Sequence, residues 1–355
     1  MGPTIKIVCQ NLNGPCSFIA LCNVLILRGD IHITPPSRQS VTYSFLSALV
    51  GDHLLRSSSP KSPLSLEAAL EILPSTRYGL DLNPRFGHID GFRQSGEAKE
   101  EGKQGSGELA LFAMSKVPLL HGWVVDPQDE QTWDAVVEKT GDYDAALEKI
   151  VEGEVIAGEQ VEDGEEDEEK VMKAVEARSL WTAEQEEKVQ QAHLIRKFLS
   201  ASRTQLTYHG LFLLSSHLAP SSLSALFRNS HLSVLFRRPS TPTPSSTPQL
   251  GNEGPALFTL VTDESFANEP DVVWESLEDV EGGASEFYDG ALSRSSPRGG
   301  DWVRRRGEEG LISRERREQE RTDAAAPLEG RRPPSLSAVD EVARYEQGEG
   351  RSDNE

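Results

Sequence analysis

A cysteine at position 16 stands where a helix is predicted to begin, and that position favours the reactive form of a thiol. The chain reads QNLNGPC over residues 10–16, followed at once by the apolar run 18–27. Pro15 suits the first helical position, because its missing N–H would have no partner there and its φ is already helical. Cys16 then lies among the unpaired N–H groups at the positive end of the helix dipole. This position stabilises a thiolate, which is the nucleophilic form of cysteine.

Gln10 offers a second group that acyl chemistry needs. It lies six residues before Cys16, at the end of a predicted strand over residues 4–9. Its amide can donate to an oxyanion there, beside the free N–H groups of the first helical turn. The opposing interpretation is that Cys16 is a small core residue, which is the common role of a lone cysteine. Cys9 and Cys22 fit that role better, since each lies within an apolar run.

Eight histidines compete for the role of general base. His231 is favoured because it opens a predicted strand, a position from which a side chain projects into a cleft from a rigid frame. A second strand over 258–262 is predicted to pair with the first as an antiparallel hairpin, which brings His231 close to Thr262. The Thr262 hydroxyl can then orient the imidazole, as Cys–His catalysis requires. His121 and His209 stay open as alternatives.

Both helices and strands are predicted around these residues. Besides the helix that follows Cys16, the patterns predict helices over residues 41–55, 64–73, 182–199 and 205–216, a strand over 121–126, and a connection or strand over 79–86. Thr182 and Gln185 form a capping-box pattern at the start of their helix. Gly210 weakens the prediction for the last helix, because glycine is a poor helix former.

Three low-complexity segments interrupt this pattern, at about residues 92–108, 150–178 and 239–256. The second has ten carboxylates and no basic residue between positions 152 and 169, which is typical of a solvated insertion. Arg, Glu, Gly and Pro dominate after position 288, and we predict a disordered tail over 291–355. The net charge of −21 argues against a nucleic-acid partner, because phosphate contacts need clustered Lys and Arg.

The three cysteines have neither disulfide nor metal-ligand spacing, and no metal or cofactor is expected. The N-terminus lacks the long apolar region of a signal peptide, and the run 18–27 is too short to span a bilayer. We therefore expect a monomer without a membrane partner, in the cytoplasm and also in the nucleus. A free catalytic thiol is stable in such a reducing compartment.

Several blocks of this sequence together resemble the MINDY family of cysteine deubiquitinases. They occur in the family's order, and each is weak alone but the set is highly specific. The blocks are QNLNGPC (10–16), GLDLNPRF (79–86), HGWVVDPQ (121–128), TQLTYHGL (204–211), LFRNSH (226–231), LVTD (260–263) and VWESL (273–277).

The resemblance implies a papain-like α/β cysteine protease fold of the α+β type, with a helical subdomain and a central β-sheet, in a catalytic domain over residues 1–290. It also implies hydrolysis of isopeptide bonds in lysine-48-linked polyubiquitin, with ubiquitin as the partner. By matching position, Cys16 is the nucleophile and Gln10 the oxyanion donor. His231 is then the base, and Thr262 matches the residue that orients it.

Four further residues are candidates for contact with ubiquitin. Trp123 or Trp274 could wall a narrow groove for the two terminal glycines, although core packing is the commoner role of tryptophan. The carboxylates of Asp126 and Glu275 could meet the basic ubiquitin tail. The family's larger members also carry ubiquitin-interacting helices after the catalytic domain, and the tail here lacks their spaced acidic, Leu and Ala pattern.

Three other functions stay open at this point. A ubiquitin-chain reader with a weak or inhibited catalytic centre would bind chains without cleaving them. Another thiol acyl-transfer enzyme, such as a general peptidase or a transglutaminase-like enzyme, would not react with a ubiquitin-based probe. A non-enzymatic acidic scaffold would explain the insertion and the tail, but it leaves the motifs over residues 4–290 unexplained.

Overall fold

The computed structural model of the chain divides into two units, Met1–Ser296 and Pro297–Glu355. The structure describes residues 5–10, 15–57, 66–93, 107–157, 181–239 and 254–297. Most of the insertions predicted at about 92–108, 150–178 and 239–256, and most of the tail predicted over 291–355, lie outside the described residues. The fold is therefore that of the first unit.

Eight α-helices lie within the described ranges. They are α1 (Cys16–Arg28), α2 (Tyr43–Ser57), α3 (Leu66–Ile72), α4 (Gly107–Met114), α5 (Glu130–Trp133), α6 (Tyr143–Ala157), α7 (Ala183–Ala201) and α8 (Tyr208–His217). The four helices predicted over 41–55, 64–73, 182–199 and 205–216 are confirmed as α2, α3, α7 and α8, with ends that differ by a few residues. The capping box is also confirmed, because Thr182 and Gln185 each donate a main-chain N–H to the other's side chain.

A seven-stranded sheet and a separate two-stranded ribbon complete the fold, and the expected mixed α/β class is confirmed. The ribbon pairs β1 (Asn83–Pro84) with β2 (Phe92–Arg93). The sheet has the order of its numbering: β3 (Leu119–His121), β4 (Leu223–Arg228), β5 (His231–Arg237), β6 (Leu257–Leu260), β7 (Trp274–Ser276), β8 (Phe287–Tyr288) and β9 (Arg294–Ser295). Only β3 and β4 run parallel to each other within this sheet.

Helix α1 is buried along nearly its whole length, from Ser17 to Ile26. Its apolar residues face every direction, which is the pattern of a core helix. Together with Val234, Phe258 and other residues from one face of the sheet it forms the largest apolar cluster. Residues that alternate with these along the strands pack on Leu206 and Leu214 instead, on the opposite face.

The contact between α8 and the chain after β3 is unusually close. A Cβ atom added to Gly210 would lie 1.9 Å from the carbonyl oxygen of Gly122. Leu206 makes a parallel bridge with Gly122, and Thr207 donates its hydroxyl to the carbonyl of Val124 at 2.7 Å. The close packing therefore requires glycine at position 210. The contacts with Gly122 and Val124 stabilise the helix that this glycine was expected to weaken.

Two predicted strands are wrong. Residues 5–9 are in no strand, because the main chain of Val8 pairs with the side chain of Asn23 rather than with another strand. The strand predicted over 121–126 ends at His121, where β3 stops, and the following residues turn toward α8.

The edges of the predicted low-complexity segments also differ from the structure. The acidic segment was predicted from residue 150, but α6 continues to Ala157. Order also continues past Tyr288, because the Asp289 carboxylate accepts the N–H groups of Ala291 and Ser293, both at 2.8 Å, and directs the chain into β9. Across the described ranges we find no helix whose length and apolar character would let it cross a membrane.

Candidate catalytic site

The N-terminus of α1 lies one residue later than the sequence predicts. Pro15 is the N-cap, with φ −74° and ψ 84°, and Cys16 is the first helical residue. The Pro15 carbonyl accepts the N–H of Ile19 at 3.0 Å. A proline side chain cannot accept a hydrogen bond, so the first-turn N–H groups stay available to another acceptor. Gly14, the predicted entry turn, lies outside the described residues.

The structure brings Cys16 and His231 into hydrogen-bond contact. Burial alone raises the pKa of the Cys16 thiol, but three hydrogen bonds and the imidazole charge outweigh it. The largest of these effects is the bond with the His231 side chain, followed by a bond from the main chain of Leu232. The main-chain N–H of Ser17, in the first turn of α1, also contributes. The pKa of Cys16 therefore lies below its ordinary value.

The other two cysteines have the opposite electrostatic environment. Burial, and then the nearby carboxylates of Asp263 and Glu264, raise the pKa of Cys9. Cys22 is fully buried within α1, and burial raises its pKa strongly. Both are therefore poor nucleophiles at neutral pH, and Cys16 is the most acidic of the three free thiols.

This difference predicts selective alkylation of Cys16. Because only the thiolate reacts, the rate of carbamidomethylation by iodoacetamide should rise with pH through the pKa of the folded site. We expect a midpoint below that of the same cysteine in the denatured protein, with Cys9 and Cys22 unmodified near pH 7. Peptide mass spectrometry after timed alkylation measures all three sites together. Equal midpoints in folded and denatured protein would contradict the prediction.

A tight hairpin delivers His231 to the cysteine. Strands β4 and β5 are joined by Asn229 and Ser230, and the closing pair of the ladder is Arg228 with His231. Both turn residues have positive φ, 54° and 55°, as a two-residue turn of type I′ requires. His231 is thus the first residue of β5, which confirms its predicted position at the start of a strand.

Gln10 is held beside the chain that follows β6, the second strand of the predicted hairpin. Its N–H donates to the carbonyl of Thr262 at 2.5 Å, and its carbonyl accepts the N–H of Glu264 at 3.0 Å. Val8 lies two residues before Gln10. Its N–H donates to the side-chain oxygen of Asn23 at 2.8 Å, and its carbonyl accepts the Asn23 amide N–H at 2.9 Å. The segment that carries Gln10 is thereby tied both to the sheet and to the helix that begins with Cys16.

Thr262 lies just beyond the end of β6. Strands β5 and β6 pair in antiparallel register, with Leu235 opposite Thr259. Continued past the end of β6, this register sets His231 level with Asp263, one residue from Thr262. The paired residues of β5 and β6 do not reach these positions, so the proximity of His231 and Thr262 stays a prediction. The contact that the structure gives Thr262 is with the main chain of Gln10.

The alternative histidines are poorly placed to act as the base. His121 is fully buried, and burial lowers its pKa to about 4. Its Nδ1 accepts the N–H of Trp123 at 3.1 Å, so Nε2 carries the proton and donates to the carbonyl of Gly91 at 2.9 Å. His209 is the second residue of α8, the helix that packs on the chain after β3 rather than on α1.

Two of the four candidate ubiquitin contacts are core residues, and we withdraw them. Trp123 is 4% exposed and donates its indole N–H to the Ser202 hydroxyl at 2.7 Å. Trp274 is 7% exposed and stacks on Phe236, with ring centroids 5.2 Å apart. A ring enclosed in this way cannot wall a groove for a substrate, and the commoner role of tryptophan applies to both.

The two acidic candidates have different surroundings. Asp126 is exposed, and its carboxylate accepts the N–H of Gln128 at 2.9 Å in the turn at the end of the HGWVVD segment. Glu275 is half-buried in β7, between Thr259 and Phe287 of the neighbouring strands. No group of three metal-ligating side chains occurs within the part of the chain that the structure describes.

Sequence reasoning missed three contributors to the site. The main-chain N–H groups of Ser17 and Leu232 have no signature in a sequence, because every residue except proline carries one. Asn23 did leave a signal, since it is the single polar residue in the apolar run 18–27. A fully buried amide requires hydrogen-bond partners, and here those partners are the two main-chain groups of Val8.

Comparison with known proteins gives a consistent result. A family model described as MINDY deubiquitinase matches residues 1–292. The chain is 30% identical over 289 residues to "Ubiquitin carboxyl-terminal hydrolase MINDY-1" of Bos taurus, covering 79% of this chain and 50% of that protein. It is 30% identical over 297 residues to "Ubiquitin carboxyl-terminal hydrolase MINDY-2" of Homo sapiens, covering 79% and 38%. The chain thus spans about half, or less, of the length of these relatives.

Proposed function

Because the chain belongs to the MINDY deubiquitinase family, we propose that it is a cysteine deubiquitinase that hydrolyses isopeptide bonds in lysine-48-linked polyubiquitin. Its relatives are named ubiquitin carboxyl-terminal hydrolases, and the proposal carries that activity to this chain. The single observation that supports it most is the hydrogen bond between Cys16 and His231, together with the lowered pKa of that thiol. A protein that only binds ubiquitin chains, or a non-enzymatic scaffold, does not require a cysteine with a lowered pKa.

In the first chemical step, the Cys16 thiolate attacks the carbonyl carbon of ubiquitin's C-terminal glycine. The carbonyl π electrons move to oxygen, and the Cys16 N–H and the Gln10 side-chain amide stabilise that oxyanion. The protonated imidazole of His231 then donates its proton to the lysine nitrogen as the C–N bond breaks. The products of this step are the free lysine amine and a thioester between ubiquitin and Cys16.

In the second step, neutral His231 takes a proton from water, and the resulting hydroxide attacks the thioester. The C–S bond breaks, ubiquitin leaves with a free carboxyl group, and the thiolate and imidazolium are restored. Thr262 orients the imidazole through its hydroxyl in this proposal. Its main-chain bond to Gln10 supports the proposal, because the segment that positions the orienting residue also positions the oxyanion donor.

Two carboxylates, that of the exposed Asp126 and that of the half-buried Glu275, provide the recognition of ubiquitin in this proposal. Asp126 and Glu275 contact the basic residues of the ubiquitin tail, since opposite charges steer the encounter and fix its orientation. The protein acts as a monomer in the cytoplasm and the nucleus, where free thiols such as its three cysteines persist.

A cleavage assay with the whole 355-residue chain tests the function directly. Lysine-48-linked and lysine-63-linked tetraubiquitin are incubated with the unmodified protein, with Cys16→Ala and with Cys9→Ser. We expect cleavage of the lysine-48 chains only, lost in Cys16→Ala and retained in Cys9→Ser. Cys9 is a matched control because it is a second half-buried cysteine, seven residues before Cys16 and outside α1.

The alternatives give different results in the same assay. Chain binding without cleavage in the unmodified protein would favour an inhibited reader. Cleavage that survives Cys16→Ala would contradict the site, and equal cleavage of both linkages would contradict the lysine-48 preference alone. Failure of a ubiquitin-based probe to react with Cys16, despite an acidic thiol, would favour another thiol acyl-transfer enzyme.

A further inference from the structure

The side chain of Gln205 holds the turn before His231 from outside the hairpin. The main-chain N–H of Ser230 donates to Gln205 Oε1 at 2.5 Å, and Gln205 Nε2 donates to the Ser230 hydroxyl at 3.5 Å. Both polar atoms of one amide therefore engage one turn residue. That residue is the immediate neighbour of the histidine that bonds to Cys16.

Gln205 is itself fixed in place by the helical part of the fold. Its N–H donates to the carbonyl of Ser202, at 2.9 Å, just after α7. The Ser202 hydroxyl donates to the carbonyl of Phe198 and accepts the indole N–H of Trp123, both at 2.7 Å. On its other side, Leu206 forms the bridge to Gly122. The main chain that carries the Gln205 side chain is thus held firmly on both sides of this residue.

Three of the six residues other than glycine that have positive φ in the described part of the chain meet at this contact. Gln205, Asn229 and Ser230 all have positive φ, at 54°, 54° and 55°. Residues other than glycine rarely adopt this conformation, which persists only where the surrounding structure enforces it, often at functional sites. The Asn229–Ser230 conformation suits its hairpin turn, but Gln205 is in no hairpin. Its conformation is explained by the direction in which it must project its side chain.

We propose that Gln205 is a positioning residue for His231: by holding Ser230, its amide fixes the turn from which His231 reaches Cys16. The inference rests on the proposed function, in which His231 is the base. Gln205 touches neither the substrate nor the thiol. It acts by restricting the start of β5, so that the imidazole spends its time within hydrogen-bond distance of the sulfur rather than in other rotamers.

Gln205→Asn is the most informative variant. Asparagine adopts positive φ more readily than glutamine does, so the backbone conformation is retained, but its side chain is one methylene too short to reach Ser230. We expect kcat on lysine-48-linked diubiquitin to fall about tenfold, the kinetic equivalent of one lost hydrogen bond. KM should stay unchanged, and the midpoint of Cys16 alkylation should move toward that of the denatured protein.

Two further variants complete the experiment. Gln205→Glu keeps an oxygen at the position of Oε1 and should restore most of the lost kcat. Gln39→Asn, at an exposed glutamine whose amide donates to the carbonyl of its near neighbour Ser37, should behave as the unmodified protein does in every assay. All measurements are made well below the melting temperature of each variant, determined separately.

The outcomes separate the two proposals. If the unmodified protein lacks an acidic Cys16 thiol, the proposed function fails, whatever Gln205 does. If the thiol is acidic and Gln205→Asn changes neither kcat nor the alkylation midpoint, Gln205 has no positioning role. A fall in kcat with an unchanged midpoint, or a loss of stability that Gln205→Glu does not restore, would equally overturn the inference.

Discussion

Replacement of His231 by alanine should lower kcat/KM for lysine-48-linked diubiquitin by about 10²–10⁴-fold, the usual contribution of a positioned acid–base group. The variant loses both the proton donor for the lysine amine and the hydrogen bond that most strongly opposes the effect of burial on Cys16. The alkylation midpoint of Cys16 should therefore move to higher pH, because burial raises a thiol pKa and only the two main-chain donors remain. Steady-state kinetics and timed alkylation measure the two effects.

His209→Ala provides the matched control for this experiment. His209 is the alternative base in α8, outside the core, so its removal leaves the apolar clusters intact. We expect the activity and the alkylation midpoint of this variant to equal those of the unmodified protein. Loss of activity in His209→Ala, with activity retained in His231→Ala, would reverse the assignment of the base.

Gly210→Ala should destabilise the fold severely. The new Cβ atom would lie 1.9 Å from the Gly122 carbonyl oxygen and 2.6 Å from its carbon, and both are main-chain atoms that cannot rotate away. Helix α8 would have to move off the chain after β3 and lose part of the contact of Leu206 and Leu214 with the sheet. We expect a loss of about 3 kcal/mol or more in the free energy of unfolding, measured by urea denaturation.

Gly51→Ala tests whether this cost comes from the close approach or from helical glycine in general. Gly51 lies within α2, and an added Cβ there meets nothing within 4 Å. Alanine has the higher helix propensity, so this variant should be more stable by about 0.5–1 kcal/mol. Similar stability changes in Gly51→Ala and Gly210→Ala would refute the explanation by close packing.

The same glycine illustrates what a sequence can and cannot predict. The helix over 205–216 could be predicted from its pattern, and α8 confirms it, but Gly210 read as a weakness. Glycine is needed at position 210 because the main chain of Gly122, far away in the sequence, packs against it. A helix propensity describes only local conformation, so it cannot reveal such a contact. The reverse error occurred at Val8, where a β-rich pattern predicted a strand and the partner proved to be the Asn23 side chain.

Strand β4 shows a second limit. Its sequence, LSALFR, contains Leu and Ala, which favour helices, and no β-branched residue. It becomes a strand because its main-chain groups pair with β3 on one side and with β5 on the other. At the site, the nearness of Cys16 and His231 could be predicted from residue types and a hairpin. The Gln205 contact could not, because a glutamine well separated in sequence from Ser230 looks like any other polar residue.

The long sequence separation between Cys16 and His231 also has a consequence for the order in which the protein is made. At about 5–20 residues per second of synthesis, the cysteine leaves the ribosome some 10–40 s before the histidine. During that interval, neither His231 nor Leu232 exists to acidify the thiol. The apolar α1 likewise lacks β4 and β5, against which it packs in the finished fold. During synthesis, therefore, the apolar surface of α1 has none of its sheet partners, and the Cys16 thiol gains its lowered pKa only after His231 and Leu232 have been made.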